Sequence, residues 1–475
     1  MSVAIVWFRQ DLRLADNPAL AAAVAAADTV VPVFVDDPAG RTASRLGAAS
    51  RVWLHHSLRA LDASLGEHGS ALVCRQGPAL KMLEALAAEC GATRIFWNRC
   101  HDPDTIERDV RVKKALARLE PATSNALLVF EPWQVLKKDG TPYKVYTPYW
   151  RAAARAHDDA PDTHRPLPAP ADVPGGEVVR ALAGAGDVDA FGLLPPERWH
   201  EALIARWEVG ERAASARLDA FLAEDVAAYD HARDLPGQRG TSRLSPHLHH
   251  GEISPRQVLA RFADGRALSS LGEGETTFAK EVFWREFAYT LLYHFPDTVD
   301  EPLDRRFQAF PWREDDAALR AWQRGRTGVP IVDAGMRELW ATGWMHNRVR
   351  MIVASFLIKN LLLPWQAGER WFRDTLVDAD LASNAMGWQW TAGSGADAAP
   401  FFRVFNPVLQ GERFDKGGDY VRRWVPELAD VPTKHVHKPW ELADDARAAL
   451  DYPEPLVDLK VTRQRALDAF ATIRG

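Results

Sequence analysis

Short apolar runs alternate with segments of helical periodicity over the first hundred residues, and this order constrains the fold more than any other feature. The apolar runs predict strands over residues 3–8, 29–35, 71–74 and 93–97. Helices are predicted from Pro18, with Asp16 or Asn17 as the N-cap, and over residues 50–65 and 78–90. Strands that alternate with helices predict a parallel sheet with helices on both faces. We therefore predict an α/β domain over residues 1–130.

The periodicity becomes helical from about residue 203 onward. Apolar residues three and four apart predict helices over residues 213–221, 278–294, 317–324, 329–342, 348–362 and 369–376. Strand-like alternation of comparable length does not occur there, so an α-helical domain is predicted over residues 203–475. Residues 131–202 are predicted to form a connector, because the segment 160–197 is rich in Pro, Gly and Ala.

The composition is typical of a soluble globular protein, with 47% hydrophobic and 26% charged residues. The net charge of −6 provides no global basic field, so binding to nucleic acid would need a local basic patch. Three cysteines and the lack of a signal-peptide pattern favour a reducing, cytoplasmic location. The longest apolar run, residues 351–363, contains Lys359 and Asn360 and is too short to span a bilayer. We predict neither a membrane segment nor a metal site.

The stretch 343–390 combines tryptophan with arginine, asparagine and carboxylates in an otherwise apolar frame. It contains TGWMHNRVRMIVASF and DADLASNAMGWQW, in a chain with 18 tryptophans. Buried indole N–H groups and buried charges both need partners, so this mixture is unusual in an ordinary core. It suits a site for a large, flat, partly anionic aromatic ligand. The alternative is a packed helical core in which tryptophan fills space.

Two further stretches carry polar groups in patterns typical of sites. Residues 241–245, TSRLS, come directly before Pro246 at a predicted helix start, where backbone N–H groups and the helix dipole can bind phosphate. A simple N-cap is the alternative there. In KEVFWREF, Glu281, Trp284 and Arg285 share one helical face. Either they form an active-site wall or they include an ordinary solvated ion pair.

These stretches resemble the DNA photolyase/cryptochrome family. The resemblance covers nearly the whole chain, from VWFRQDLRLADN at residues 6–17 to FNPVLQGERFD at residues 405–415. It implies an α/β antenna domain followed by a larger all-α domain that binds FAD and DNA. The implied reaction is repair in the light, in which reduced, anionic FAD passes an electron to a flipped pyrimidine dimer. The implied partner is DNA that contains pyrimidine dimers, and we expect a monomer.

The resemblance also assigns residues to the flavin and to electron transfer. Residues 241–245 would hold the diphosphate, and Asn384 would face the flavin N5, as in repair enzymes. The residues implied in binding FAD are Tyr229, Thr241, Ser242, Arg243, Leu244, Ser245, Phe278, Arg285, Arg350, Asp378, Asp380 and Asn384. Phe278 stands where the family usually has tryptophan. Light-driven electron transfer would use Trp388, Trp365 and Trp312.

The residues of the dimer site are implied in the same way. Glu281 would hydrogen-bond a carbonyl of the lesion, Trp284 and Trp390 would pack on it, and Asn347 and Met351 would face the pyrimidines. The residues implied in DNA contact are Arg233, Glu281, Trp284, Asn347, Arg348, Arg403 and Gln410. Asn347 and Met351 indicate an enzyme for the cyclobutane dimer, most like class I, because enzymes for the (6-4) lesion have histidine at both positions.

A cryptochrome-type blue-light photoreceptor is the alternative function. Such a receptor would favour a long tail after the helical domain, and the chain has no extended low-complexity segment after Gln410. A nucleotide-binding α/β protein unrelated to light would leave the tryptophans and WMHNRVRM unexplained.

A second, antenna chromophore could be folate or deazaflavin, and its identity stays open. Folate-binding relatives have Glu near Thr105 and Lys near Asp300, whereas deazaflavin-binding relatives have Asp near Cys100 and Lys near His249. This chain has neither set.

Overall fold

The computed structural model describes residues 2–38, 46–397 and 402–474. Its contacts divide the chain into two units, each built from two separate stretches. The first unit contains Met1–Glu224 and Ser242–Pro296, and the second contains Asp225–Thr241 and Asp297–Gly475. These units are defined by contacts and do not test the domain boundaries predicted at residues 130 and 202, which stay a prediction.

The first unit contains a parallel sheet, with five strands among the described residues. The strands are β1 (Val3–Phe8), β2 (Thr29–Asp36), β3 (Val73–Gln76), β4 (Arg94–Asn98) and β5 (Ala122–Ser124). Their order is β3-β2-β1-β4-β5, and every adjacent pair is parallel. Alternate residues of β1 belong to two different apolar clusters, Val6 and Phe8 to one and Ile5 and Trp7 to the other. The predicted parallel sheet, packed on both faces, is therefore confirmed.

Eight helices precede residue 225 in the described part of the chain. They are α1 (Pro18–Ala26), α2 (Ala48–Glu67), α3 (Ala79–Cys90), α4 (Pro103–Ala115), α5 (Tyr146–Asp159), α6 (Gly176–Ala181), α7 (Trp199–Ile204) and α8 (Glu211–Glu224). Asn17 is the N-cap of α1, since its side chain accepts a hydrogen bond from the backbone N–H of Leu20 at 3.1 Å. Helices α5 and α6 lie within the segment predicted as a connector, and α7 begins in it.

The rest of the described chain is helical, as predicted. The helices are α9 (Tyr229–Ala232), α10 (Ser245–His250), α11 (Pro255–Ala263), α12 (Glu273–His294), α13 (Asp316–Gln323), α14 (Pro330–Thr342), α15 (Asn347–Ser355), α16 (Trp365–Thr375), α17 (Leu381–Ala392), α18 (Pro407–Phe414), α19 (Asp419–Trp424), α20 (Asp444–Ala448) and α21 (Leu459–Ala471). Short 3-10 turns are Ala117–Leu119, Pro161–His164, Val188–Phe191, Val226–Ala228, Leu268–Ser270, Pro296–Val299, Arg305–Ala309, Pro426–Leu428 and Pro439–Glu441.

The helix predicted over residues 348–362 is two elements instead of one. After α15 the chain forms a π-helix, Phe356–Asn360, and Leu362 has a positive φ of 60°. The Lys359 side chain is buried in this π-helix, with Nζ 3.3 Å from the centroid of the Phe402 ring. Short π-helices within α-helices occur frequently at functional sites.

The core of the second unit is formed mainly by α14, α15, the π-helix, α16 and α17, which share one apolar cluster. Among the described residues we find no helix whose length and hydropathy would let it cross a membrane.

Candidate active site

The candidate residues belong to both units, and each group is described within its own unit. In the first unit, α12 carries Glu281, Trp284 and Arg285 on the predicted face. Glu281 and Trp284 are half-buried, whereas Arg285 is buried, with its guanidinium carbon 4.8 Å from the centroid of the Tyr289 ring. The indole of Trp284 stacks on Tyr146, with ring centroids 3.6 Å apart and an interplanar angle of 10°.

The segment TSRLS ends at the start of α10, as predicted. Ser242 Oγ accepts a hydrogen bond from the backbone N–H of Leu244 at 3.4 Å, and α10 begins at Ser245. Arg243 has a positive φ of 53°, a conformation that non-glycine residues adopt at a cost and that clusters at ligand sites. Thr241 is the last residue of the second unit's first stretch. The diphosphate role of these residues stays a prediction.

Phe278 lies in the core of the first unit. It is 4% exposed and packs against Phe221 and Phe262, with ring centroids 4.7 and 5.4 Å apart. Its predicted contact with flavin is not tested by this packing.

In the second unit, α15 carries Asn347 and Met351 one turn apart, with Asn347 exposed and Met351 half-buried. Between them, Arg348 forms an ion pair with Asp234, in which Nη2 donates to Oδ1 at 2.7 Å. The same guanidinium lies 4.4 Å from the centroid of the Phe414 ring and 3.8 Å from the Met351 sulfur. Arg348 is thus held beside Met351 by a carboxylate and a ring.

Arg350, on α15, forms an ion pair with both carboxylate oxygens of Asp378, which lies in the loop between α16 and α17. Arg350 Nη2 donates to the two carboxylate oxygens of Asp378 at 3.1 and 2.8 Å, and its Nε donates to the Met345 carbonyl at 2.8 Å. The Asp378 side chain is buried, whereas that of Arg350 is 23% exposed. The pair therefore presents a positive group with a fixed position at the edge of the core.

Asp380 and Asn384 are placed by the first turn of α17. Asp380 is the N-cap, and its side chain accepts from the backbone N–H of Ser383 at 2.9 Å. Asn384 Nδ2 donates to Glu369 Oε1 at 3.0 Å and to the Glu369 carbonyl at 3.3 Å. Burial raises the pKa of Glu369. Since both bonds engage the amide nitrogen, the orientation of the Asn384 amide is fixed and its oxygen faces away from Glu369.

The three tryptophans of the predicted electron path differ in exposure. Trp388 and Trp365 are each 2% exposed, and Trp312 is half-buried against Phe310. Trp388 packs edge-on against Phe372 and Trp322, with centroids 5.0 and 6.2 Å apart. The Trp388 Nε1–H is buried and has no hydrogen-bond partner among the described residues. A buried donor of this kind is unusual unless it adjoins a ligand or water.

The remaining candidates also belong to the second unit. Trp390 is half-buried and donates from Nε1 to the Asp397 carbonyl at 3.1 Å. The Arg233 guanidinium carbon lies 5.5 Å from the centroid of the Tyr229 ring. Arg403 is exposed beside Phe405, and Gln410 is half-buried on α18.

Two family models match the chain. One, described as DNA photolyase, matches residues 4–171, and the other, described as the FAD binding domain of DNA photolyase, matches residues 278–472. A deoxyribodipyrimidine photo-lyase of Agrobacterium fabrum is 46% identical over 99% of this chain and 98% of its own length. The chain belongs to the DNA photolyase/cryptochrome family.

Other members of the photolyase/cryptochrome family also match over nearly the whole of this chain. Cryptochrome-1 of Arabidopsis thaliana is 38% identical over 98% of this chain and 70% of its own length. A bacterial class III photolyase from Agrobacterium tumefaciens, solved as a crystal structure, superposes with a TM-score of 0.93 at 46% identity, covering 100% of this chain and 98% of that chain. These comparisons confirm the predicted family and fold. They leave the class I subtype a prediction.

The family's cofactor is FAD, and the side chains of the second unit fit it. Arg350 offers a cation held by Asp378, and Asn384 offers an amide oxygen of fixed orientation. The unpartnered indole N–H of Trp388 lies on the same helix as Asn384, one turn further on. A protein tunes a flavin through nearby charge and hydrogen bonds to its ring nitrogens, and these side chains can supply both.

Three supporting residues were not predicted from the sequence: Tyr146, Asp234 and Glu369. Tyr146 lies in the aromatic segment PYKVYTPYW, but the sequence does not indicate which ring it contacts. Asp234 follows the predicted Arg233 directly. Glu369 is three residues before the buried Phe372 on α16, and an acid on a buried helical face could have signalled a polar partner.

Proposed function

We propose that this protein repairs cyclobutane pyrimidine dimers in DNA in a light-dependent reaction. When bound, reduced FAD would supply the light-excited electron for splitting the dimer, and the side chains of this chain would hold the cofactor and the lesion. The observation that carries the proposal is the amide of Asn384, fixed by two bonds to Glu369. An oxygen acceptor held in one orientation favours a cofactor that presents an N–H group, as reduced flavin does at N5.

The residues that the family resemblance assigns to the lesion would bind and orient the flipped dimer. Glu281 could share a proton with the lesion's carbonyl and stabilise negative charge on it. Trp284 and Trp390 offer rings for stacking, and Asn347 and Met351 offer one polar and one apolar contact. Extrusion of the dimer is favoured because a damaged pair stacks and pairs poorly.

Arginines would bind the DNA backbone around that site. Arg403 is exposed and Arg348 is half-buried, and arginine can contact phosphate with two parallel hydrogen bonds. The ion pair between Arg348 and Asp234 would have to open before Arg348 could contact a phosphate. The strength of that phosphate contact would therefore depend on Asp234. Arg233 and Gln410 complete the proposed DNA-binding set.

Trp388, Trp365 and Trp312 would carry the electron that reduces FAD in the light. Their exposure increases from Trp388 and Trp365 to Trp312, as expected for a path from an interior cofactor to the surface. The substrate is DNA, and within this proposal the enzyme is a class I monomer that acts in the cytoplasm.

The test is illumination of the purified, reduced protein with an oligonucleotide that contains one cyclobutane dimer. We expect loss of the dimer in the light and none in the dark. Glu281→Ala and Asn347→Ala should each lower the yield while FAD remains bound. A flavoprotein that leaves the dimer unchanged in the light would contradict the proposal and favour the photoreceptor function.

A further inference from the structure

The closest aromatic contact in the first unit among those described joins Tyr146 and Trp284. Their ring centroids are 3.6 Å apart and their planes are nearly parallel, at 10°. Tyr146 is 6% exposed and is the first residue of α5, whereas Trp284 is half-buried in the middle of α12. One face of the indole is therefore covered by a buried ring, while part of the indole remains accessible.

A hydrogen bond fixes Tyr146 to the same turn of α12. Its hydroxyl donates to the backbone carbonyl of Lys280 at 2.5 Å. In an α-helix the same Lys280 carbonyl faces the backbone N–H of Trp284, which is four residues further along α12. Tyr146 thus contacts both the ring of Trp284 and the backbone turn that carries it.

Phe287 completes a three-ring cluster. It lies edge-on to Trp284 at 5.7 Å and 75°, and edge-on to Tyr146 at 5.7 Å and 68°. A stacked ring on one side and a perpendicular ring at the edge leave the indole little freedom to change rotamer. Trp284 is consequently held in one orientation before any ligand binds.

We propose that Tyr146 is a positioning residue that fixes Trp284 so that the indole's accessible surface stacks on the flipped dimer. This inference rests on the proposed function, in which Trp284 packs on the lesion. A ring that is already ordered loses less conformational entropy on binding than a mobile one, so the affinity for the lesion is higher. Undamaged DNA, which is bound through its phosphates, should gain nothing from Tyr146.

The experiment measures the dissociation constants of the FAD-loaded protein for two oligonucleotides, one with a cyclobutane dimer and one undamaged. Tyr146→Leu should weaken binding of the dimer roughly three- to tenfold, the usual range for loss of an aromatic pair. Binding of undamaged DNA should not change. Tyr146→Phe keeps the ring and should recover most of the affinity.

The matched control is Tyr149→Leu. Tyr149 is a buried tyrosine one turn further along α5 that contacts Phe287 but forms no described ring pair with Trp284. It should lower stability without changing the ratio of the two dissociation constants. In a Trp284→Ala background, Tyr146→Leu should have no further effect on that ratio, because the ring on which it acts is gone.

Three outcomes would overturn the inference: an unchanged ratio in Tyr146→Leu, an equal change in Tyr149→Leu, or an undiminished effect in the Trp284→Ala background. If Tyr146→Leu fails to retain FAD, Tyr146→Met is measured against the same criteria. A wild-type protein that neither prefers nor repairs the dimer would reject the proposed function itself. Wild-type repair with an unchanged Tyr146→Leu ratio would reject only the role of Tyr146.

Discussion

Asn384 donates both described hydrogen bonds of its amide nitrogen to Glu369, one to the carboxylate at 3.0 Å and one to the backbone carbonyl at 3.3 Å. A glutamine at position 369 could donate as well as accept and would no longer fix the amide. We expect Glu369→Gln to slow the light-driven reduction of bound FAD, measured by flavin absorbance under illumination with an external reductant. Glu412→Gln, a change of a partly exposed acid on α18, is the control. An equal reduction rate in Glu369→Gln and wild type would contradict this role for Glu369.

Gly368 makes room for Trp388. A Cβ atom at Gly368 would lie 2.1 Å from Cη2 of Trp388 and 2.7 Å from Cδ2 of Leu357. Gly368→Ala should therefore displace the indole, lower the free energy of unfolding by about 1–3 kcal/mol and slow flavin photoreduction. Gly387→Ala is a matched control, because a Cβ there would have no neighbour within 4 Å. It should be neutral or stabilising by up to about 1 kcal/mol. Similar effects of the two alanines in thermal unfolding and photoreduction would rule out this steric explanation.

Asp378→Asn should weaken retention of FAD. The change removes the carboxylate that holds Arg350 and leaves a partly buried guanidinium without its ionic partner. Loss of one partner of such a pair costs roughly 3 kcal/mol of stability or binding. The measurement is the FAD-to-protein ratio after gel filtration, together with the melting temperature. A variant with full flavin content and an unchanged melting temperature would show that the pair has no such role.

Arg348→Ala should weaken DNA binding about equally for damaged and undamaged oligonucleotides, because a phosphate contact carries no sequence information. The slope of log affinity against log salt should fall by about 1. Asp234→Asn should strengthen DNA binding, because the Arg348 guanidinium would no longer have to break an ion pair with Asp234 before it contacts a phosphate. Arg198→Ala, at an exposed ion pair of the first unit, provides a control with the same loss of charge. An unchanged salt slope in Arg348→Ala would argue against a phosphate contact.

Glu286 should make stability depend on pH. It is buried on α12 and accepts hydrogen bonds from the backbone N–H groups of Val129 and Phe130 at 3.0 Å each. Burial raises its pKa from 4.5 to about 7, so the folded state binds a proton that the unfolded state releases within this range. The contribution of Glu286 to stability is therefore fully present below pH 4.5 and is lost as the pH rises to about 7.

The difference in unfolding free energy between wild type and Glu286→Gln should accordingly change by on the order of 3 kcal/mol between these limits. Urea unfolding at several pH values from 5 to 8 measures it. Glu84→Gln, an exposed change on α3, should follow the wild-type curve. Parallel curves for wild type and Glu286→Gln would exclude the linkage.

The sequence predicted the elements better than their contacts. Strand β1 agrees at both ends with the prediction, because a fully apolar run followed by charged residues has few alternatives. The predicted helix over 348–362 is too long, because the helical spacing of apolar residues continues through the π-helix, Phe356–Asn360, and does not show where α15 ends. The three-residue strand β5 was missed because it is too short to show a periodicity.

Family resemblance predicts the candidate residues, but it does not predict which side chains hold them in place. The pairs Arg350–Asp378, Arg348–Asp234 and Asn384–Glu369 join residues 28, 114 and 15 positions apart in the chain. No helical or strand period relates such positions. Tyr146 and Trp284 are further apart still, so a stacked pair between the connector and α12 could not be predicted from spacing.

The first unit is completed by Ser242–Pro296, after the chain has already supplied residues 225–241 to the second unit. An amino-terminal fragment that ends anywhere before residue 242 would lack α12. It would therefore lack the Glu286 carboxylate, which accepts hydrogen bonds from the backbone N–H groups of Val129 and Phe130. During synthesis the first unit can therefore be completed only after this returning stretch has left the ribosome. Chimeras that exchange the amino-terminal half between relatives would have to carry both stretches together.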